Sequence, residues 1–317
     1  MPMTAPVVAL EEHYWDPELV AHFPAGENSS PLSSLLTELA DVRLRAMDEA
    51  GIDMQVLSHG APSTQKLPAD IAHDLARRVN DRLAEACAKY PKRFAGFAAL
   101  PTPDPDNAPR ELERCVKDLG FKGAMIHGLT NGVFLDDKRF WPTLAAAEEL
   151  GVPLYMHPSV PDATVSTRYY ADYAREFPTV MRPAWGFTVE TATAAIRLIL
   201  SRAFEHYPKL QIILGHLGET LPFFLWRIDQ ALSRPGQDRL EFRKQFCEHF
   251  HVTTSGNFST PALICTMLEL GIDRIMFAVD YPYVENRDGT TWVEQLQISP
   301  ADKQKLLGGN AAKLLKL

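Results

Sequence analysis

A short junction recurs along the chain and narrows what it can fold into. Ala50-Gly51-Ile52-Asp53 precedes the apolar run 54–58, Leu119-Gly120-Phe121-Lys122 precedes 123–126, Leu150-Gly151-Val152-Pro153 precedes 154–156, and Leu270-Gly271-Ile272-Asp273 precedes 274–279. Each reads as a helix ending at a glycine in the left-handed C′ conformation, followed by a short buried strand. Tyr90-Pro91-Lys92 before 94–100 and Tyr207-Pro208-Lys209 before 210–214 repeat the pattern, with proline stopping the helix. Adding the run that opens at Val7 and the run 250–254 gives eight strands that alternate with helices. Short returns between like units demand parallel strands, and eight such units predict a single closed (β/α)8 TIM barrel over residues 1–317. An open doubly wound sheet is the other solution, but no glycine-rich phosphate loop follows the first strand.

Between the strands, Ile71, Leu75, Val79 and Leu83 recur every four residues, and Leu112, Cys115, Val116 and Leu119 form a second stripe. Further helices are expected over 142–150, 188–206, 221–232, 260–270 and 300–315. Two stretches escape the repeat. Residues 14–34 lack periodicity, and residues 158–183 carry Tyr169, Tyr170, Tyr173 and Phe177. On a barrel both are long βα loops covering the C-terminal face, and 158–183 is expected to be a lid or a subunit-contact insertion.

Composition excludes several functions. Hydrophobic residues at 46% and charged residues at 23% describe a soluble globular protein. The formal net charge of −8, with no basic block, argues against a nucleic-acid partner. No apolar run reaches the roughly 20 residues that span a bilayer. Met1–Pro6 has no basic n-region, so no signal peptide is expected. Cys87, Cys115, Cys247 and Cys265 are scattered without a CxxC, as in reduced thiols of a cytoplasmic enzyme.

The strand ends carry the chemistry. Val7-Val8-Ala9-Leu10-Glu11-Glu12-His13 runs from apolar residues into two carboxylates and an imidazole. Alternation along a strand puts Glu11 and His13 on one face and Glu12 on the other. The second strand ends at Ser58-His59, the fourth at His127, the fifth at His157, the sixth at His216 and the eighth at Asp280. Half of the ten histidines therefore sit at or just past C-terminal strand tips, the catalytic end of a barrel. Glu11, His13, His157 and Asp280 supply two nitrogens and two oxygens, a set that suits Zn²⁺ or Mn²⁺ better than Ca²⁺ or Mg²⁺. In Leu214-Gly215-His216-Leu217-Gly218-Glu219, Glu219 lies three residues past His216, where it can bond the imidazole and fix its tautomer. The same segment also reads as a helix start with a first-turn carboxylate.

Taken together, Glu-x-His on the first strand, Tyr155-Met156-His157-Pro158, Gly215-His216-Leu217-Gly218-Glu219 and Val279-Asp280-Tyr281-Pro282 resemble the amidohydrolase superfamily. Within it, the chain resembles the metal-dependent decarboxylase branch typified by γ-resorcylate decarboxylase and its relatives acting on salicylate and 5-carboxyvanillate. The resemblance spans essentially the whole chain. It implies one divalent ion, Zn²⁺ or Mn²⁺, held by Glu11, His13, His157 and Asp280, no organic cofactor, and a homodimer or homotetramer. It also implies His216, oriented by Glu219, as a base or polariser, Phe23 as a pocket aromatic and Arg227 as a substrate-binding arginine, which could equally pair with Asp229 or Glu219. His127-Gly128, with Asn131 nearby, stands where γ-resorcylate decarboxylase has an asparagine, so His127 becomes a candidate substrate contact. Val284-Glu285 is one residue out of step with the usual glutamate.

The expected reaction is non-oxidative decarboxylation of an ortho-hydroxy aromatic acid, with carboxylate and phenolate chelated by the metal and Asp280 protonating the ring carbon. The same ligands could instead serve a hydrolase of an amide, ester or lactone, or hold a purely structural metal.

Overall fold

A computed structural model describes residues 6–234 and 240–317. The expectation drawn from Met1–Pro6 lies, apart from Pro6, outside the described residues. Nine strand segments follow one another: β1 (Val8–Tyr14), β2 (Met54–His59), β3 (Phe94–Gly96), β4 (Ala98–Ala99), β5 (Ala124–His127), β6 (Leu154–His157), β7 (Ile212–Leu214), β8 (Phe250–Thr253) and β9 (Ile275–Met276). All pair in parallel, in the orders β1-β2-β3 and β4-β5-β6-β7-β8-β9. β3 and β4 are one strand interrupted at Phe97. The Phe97 amide still donates to Leu57 O (2.9 Å), and the next amide, Ala98 N, donates to Gly123 O (2.9 Å). The ring closes between the ends of the chain, where Leu10 N donates to Phe277 O (3.1 Å) and His13 N to Tyr281 O (2.7 Å). The result is the expected (β/α)8 barrel.

Eight helices follow the eight strands in turn: α1 (Asp41–Ala50), α2 (Ala69–Lys89), α3 (Ala108–Lys117), α4 (Trp141–Leu150), α5 (Gly186–Leu200), α6 (Leu221–Leu232), α7 (Thr260–Leu270) and α8 (Asn286–Gln295). α1 and α4 stop at Gly51 (φ 70°) and Gly151 (φ 64°), where a left-handed backbone suits glycine. Two apolar cores result. Val8, Leu10, Val56, Met125, Tyr155 and Ile213 fill the barrel, closed below by Ala311 and Leu315. Val7, Ala9, Leu57, Ile126 and Met156 pack outward on the helices. This two-sided burial is why the strands read as continuous apolar runs.

Some boundaries differ from expectation. The helix expected over 188–206 ends at Leu200. Arg202 turns left-handed (φ 61°), and a new turn, Ala203–His206, buries Ala203 and Phe204. The helix expected over 300–315 passes through a wider turn at Lys305–Gly309, where the backbone of Pro6 leaves no space for a side chain on Gly308. α8 and the segment Phe242–His249, both rich in polar residues, were not foreseen. In the 158–183 loop, Tyr170 is buried, but Tyr169 (69%), Tyr173 (63%) and Phe177 (55%) face solvent. All four cysteines are free thiols. Among the described residues, no helix is long and apolar enough to cross a membrane.

Past the break at Phe97, a side chain completes the strand. Asn80 of α2 accepts from Ala99 N (2.9 Å) and donates to Ala99 O (3.0 Å) and to Glu111 Oε1 (2.7 Å). Asn80→Ala would leave the amide and carbonyl of Ala99 buried and unpaired. We expect a loss of about 2–4 kcal/mol of stability, measured by urea unfolding, at unchanged metal content.

Candidate metal centre and active site

Strict alternation along β1 would set Glu11 and His13 on the same face as Ala9, toward the helices. The backbone prevents this. The β1–β2 register slips between Ala9 and Glu12, and Glu11 takes a positive φ of 53°. This bulge inserts one residue, so Glu11 turns into the barrel above Leu10, His13 follows it, and Glu12 points away. The expected face-sharing of Glu11 and His13 is present, reached through a kink.

The four expected ligands converge. One donor atom from each of Glu11, His13, His157 and Asp280 lies within 4.8 Å of all the others. His157 Nε2 is 3.2 Å from Glu11 Oε1, and His13 Nε2 is 3.3 Å from Asp280 Oδ1. Glu11 and His13 are fully buried, and neither Glu11 Oε1 nor His13 Nε2 has a hydrogen-bond partner. Buried polar atoms left without partners and aimed at one point are what a divalent cation would satisfy, so the residues fit a metal. Their outer contacts fix them. His157 Nδ1 donates to Pro158 O (2.6 Å), and Ser58 Oγ lies 3.4 Å from His13 Nδ1. The Tyr155 hydroxyl donates to Glu11 Oε2 and lies 2.7 Å from Thr253 Oγ1.

Electrostatics agree. Burial pushes the Glu11 carboxyl up, but the imidazoles of His216, His157 and His13 outweigh it and hold the group far below the usual carboxylate range. Burial and the Glu11 charge push Asp280 up to about 8, while burial pushes His13 down to about 4. Two carboxylates and two imidazole nitrogens meeting in a buried site favour a cation between them.

His216 sits on a left-handed turn, with positive φ from His216 through Thr220. A Cβ at Gly215 would stand 2.8 Å from Glu11 Oε2, so a side chain there would have to displace that carboxylate. The turn aims His216 Nδ1 at Glu219 Oε1 (2.7 Å) and leaves Nε2 3.9 Å from Glu11 Oε1. Thr188 of α5 donates to Glu219 Oε2 (2.8 Å), fixing the carboxylate. Burial disfavours the imidazolium, yet Glu219 and Glu11 push His216 up to about 10. The capping role that the sequence also allowed is not adopted, because Glu219 accepts from His216 and Thr188.

His127 is buried, its ring 4.7 Å from that of His157 and 6.3 Å from that of His13, with neither nitrogen hydrogen-bonded. Burial and the neighbouring histidines hold it neutral. The Tyr283 ring lies 5.8 Å from His13. His59 is structural: Nε2 accepts from Asp16 N (2.9 Å), and Nδ1 donates to Gly60 O (2.9 Å). Phe23 is buried against the Trp15 and His59 rings. Asn131 is spent on Leu67 O (3.0 Å). Arg227 is not brought to the centre. It is exposed on α6 and has no ion-pair partner among the described residues, and Asp229 accepts from the Arg243 amide instead.

Three buried groups escaped the sequence reading. Tyr155 lies two residues before His157, so alternation could have placed it on the ligand face. Glu12 accepts from Val279 N (2.8 Å), Tyr281 N (3.2 Å) and Gln55 Nε2 (3.3 Å). Burial drives its carboxyl up, opposed by the Val279 amide and the Arg43 charge. Arg43, fully buried, donates to His13 O (2.5 Å) and Gln55 Oε1 (3.1 Å), and no sequence signal marks it.

A family model described as Amidohydrolase matches residues 13–317. The chain is 42% identical to γ-resorcylate decarboxylase of Rhodococcus jostii, over 98% of each chain. It superposes on a crystal structure of 2,6-dihydroxybenzoate decarboxylase complexed with 2,6-dihydroxybenzoate (TM-score 0.89, 41% identity, 99% of this chain and 100% of that one). It superposes equally on a dihydroxybenzoic acid decarboxylase of Polaromonas with bound manganese and the inhibitor 2-nitroresorcinol (TM-score 0.90, 41% identity, 99% and 98% covered).

Two outcomes follow from the site. Tyr155→Phe removes the donor that orients Glu11 and is expected to weaken Mn²⁺ binding about 10–100-fold, read by competition with a chromogenic chelator. In the metal-stripped protein, the His216–Glu219 pair raises the His216 pKa above its unfolded value. Its stabilisation is therefore complete below about pH 6.5 and fades as pH rises toward 10. In Glu219→Gln that dependence should weaken in thermal melts recorded between pH 6 and 10, leaving the part due to Glu11.

Proposed function

The chain belongs to the amidohydrolase family, and from that premise we propose that it is a metal-dependent, non-oxidative decarboxylase of an ortho-hydroxy aromatic acid, with 2,6-dihydroxybenzoate as the first substrate to test. The observation that carries this reading is the convergence of Glu11, His13, His157 and Asp280 beside the His216–Glu219 pair. These four residues would hold Mn²⁺ or Zn²⁺, and no organic cofactor is needed. Bound there, the ion supplies Lewis acidity toward the substrate's carboxylate and ortho oxygen.

The protein's own groups do the rest. Asp280 delivers a proton to the ring carbon bearing the carboxylate. The bond from that carbon to the carboxylate then breaks, its electron pair restores the aromatic ring, and CO₂ leaves. The His216 imidazolium, held by Glu219, donates toward the phenolic oxygen and stabilises its charge. His127, neutral and unpaired, offers its ring nitrogen to a second ring substituent, and Phe23 backs the pocket through His59. Closure of the site against water falls to the 158–183 loop, as a lid or by subunit contact.

The chain is read as one barrel domain that works in the cytoplasm as a homodimer or homotetramer. Exposed Phe223, Phe224 and Trp226 on α6, with Leu268 on α7, support the assembly. Arg227 lies among them, and its substrate-binding role would be exercised across that contact.

To test the reaction, the Mn²⁺-loaded protein is incubated with 2,6-dihydroxybenzoate, 2,3-dihydroxybenzoate, salicylate and 5-carboxyvanillate, following acid loss by absorbance and CO₂ release. Turnover of at least one acid, abolished by a chelator and restored by Mn²⁺, is expected. Asp280→Asn should lose on the order of 10²–10⁴-fold in kcat. Carboxylate production from esters or lactones without CO₂ release would instead assign a hydrolase.

A further inference from the structure

Asp280 carries the last metal ligand on a backbone that L-residues seldom adopt, with φ of 72°. Something must hold it there. Its own carbonyl accepts from Tyr283 N (2.8 Å) and Val284 N (3.2 Å), which fixes the chain after it. The two amides that flank it, Val279 N and Tyr281 N, both donate to one side chain, Glu12, at 2.8 Å to Oε1 and 3.2 Å to Oε2. Glu12 is fully buried and stands between two proposed metal ligands of its own strand, Glu11 and His13, so one carboxylate straddles the peptide units on either side of a ligand from the far end of the chain. Gln55 donates to Glu12 Oε2 (3.3 Å), and Arg43 grips both Gln55 Oε1 and His13 O, so the clamp is itself braced.

We propose that Glu12 is a positioning residue for the metal centre, one that sets the backbone of Asp280, and through it the reach of the Asp280 carboxylate, by binding both flanking amides at once. The assignment rests on the proposed metal site but not on the identity of the substrate. Two amides held by the two oxygens of one buried, braced side chain fix the peptide planes on both sides of Asp280. A glutamine at position 12 keeps the size but presents an NH₂ group to one of the two amides, a donor facing a donor. Such outer contacts of metal ligands typically govern affinity by 10–100-fold.

The experiment compares Mn²⁺ affinity, by chelator competition, in the wild type, Glu12→Gln, Asp280→Asn and the double variant, with circular dichroism to confirm folding. The expected result is a roughly 10–100-fold rise in Kd for Glu12→Gln, together with an altered Mn²⁺ EPR spectrum. In the Asp280→Asn background, adding Glu12→Gln should change Kd by less than about threefold, because the residue through which Glu12 acts is already disabled. Full additivity of the two substitutions, or an unchanged Kd in Glu12→Gln, would overturn the assignment. If Glu12→Gln does not fold, Glu12→Asp, which keeps the carboxyl group and shortens its reach, carries the same comparison. A wild type that binds no Mn²⁺ or Zn²⁺ would instead remove the proposed metal site, so the two failures are distinguishable.

Discussion

The seam between β1 and β9 is the contact on which the rest of the molecule depends. It closes the barrel through Leu10 N to Phe277 O and His13 N to Tyr281 O, joining segments about as far apart in sequence as the chain allows. It also brings Glu11 and His13 against Asp280, three of the four converging donors. A closed barrel has no free sheet edge, and the last strand can dock only where the first one waits. Closing the barrel and assembling the donors are therefore one event.

Burial concentrates charge at this seam. Glu11, Glu12, His13 and Arg43 are all fully buried, and Asp280 is mostly so. Each has a distinct reason to be tolerated. Glu11 is surrounded by imidazoles and the Tyr155 hydroxyl, Glu12 by two amides and an amide side chain, and Arg43 by the His13 carbonyl, Gln55 and the face of Tyr281 at 4.8 Å. Among these charged groups, Glu11 Oε1 and His13 Nε2 are left unpaired, and both face the proposed ion. His59 is bonded at both nitrogens, whereas His127, beside His157, is bonded at neither.

Much of this was legible beforehand. The repeated glycine and proline junctions marked where helices end, and the polar residues at strand tips marked the end of the barrel where four donors converge. Glu11, His13, His157 and Asp280, and the His216–Glu219 pair, could be named because a short apolar strand ends where its polar residues begin. Helix interiors were harder. The break at Arg202 and the wide turn at Lys305–Gly309 come from packing against distant segments, and polar helices such as α8 leave no apolar stripe to read. Arg227 shows the opposite limit. The family resemblance implied a substrate-binding role for it, whereas in the single chain it stands exposed on α6.

What the sequence by itself determined was the alternation of strands and helices and the kinds of atom at the strand tips, since both follow from local backbone preference and side-chain chemistry. Tertiary structure decided which way those tips face. The alternation of β1 alone would have sent Glu11 and His13 toward the helices. The positive φ at Glu11 and the register slip against β2 turned them inward. It also gave Glu12 its task, because the amides of Val279 and Tyr281 reach it only when the barrel closes. A bulge and a clamp across more than 260 residues answer to the geometry of closure, and no local run of residues encodes that geometry.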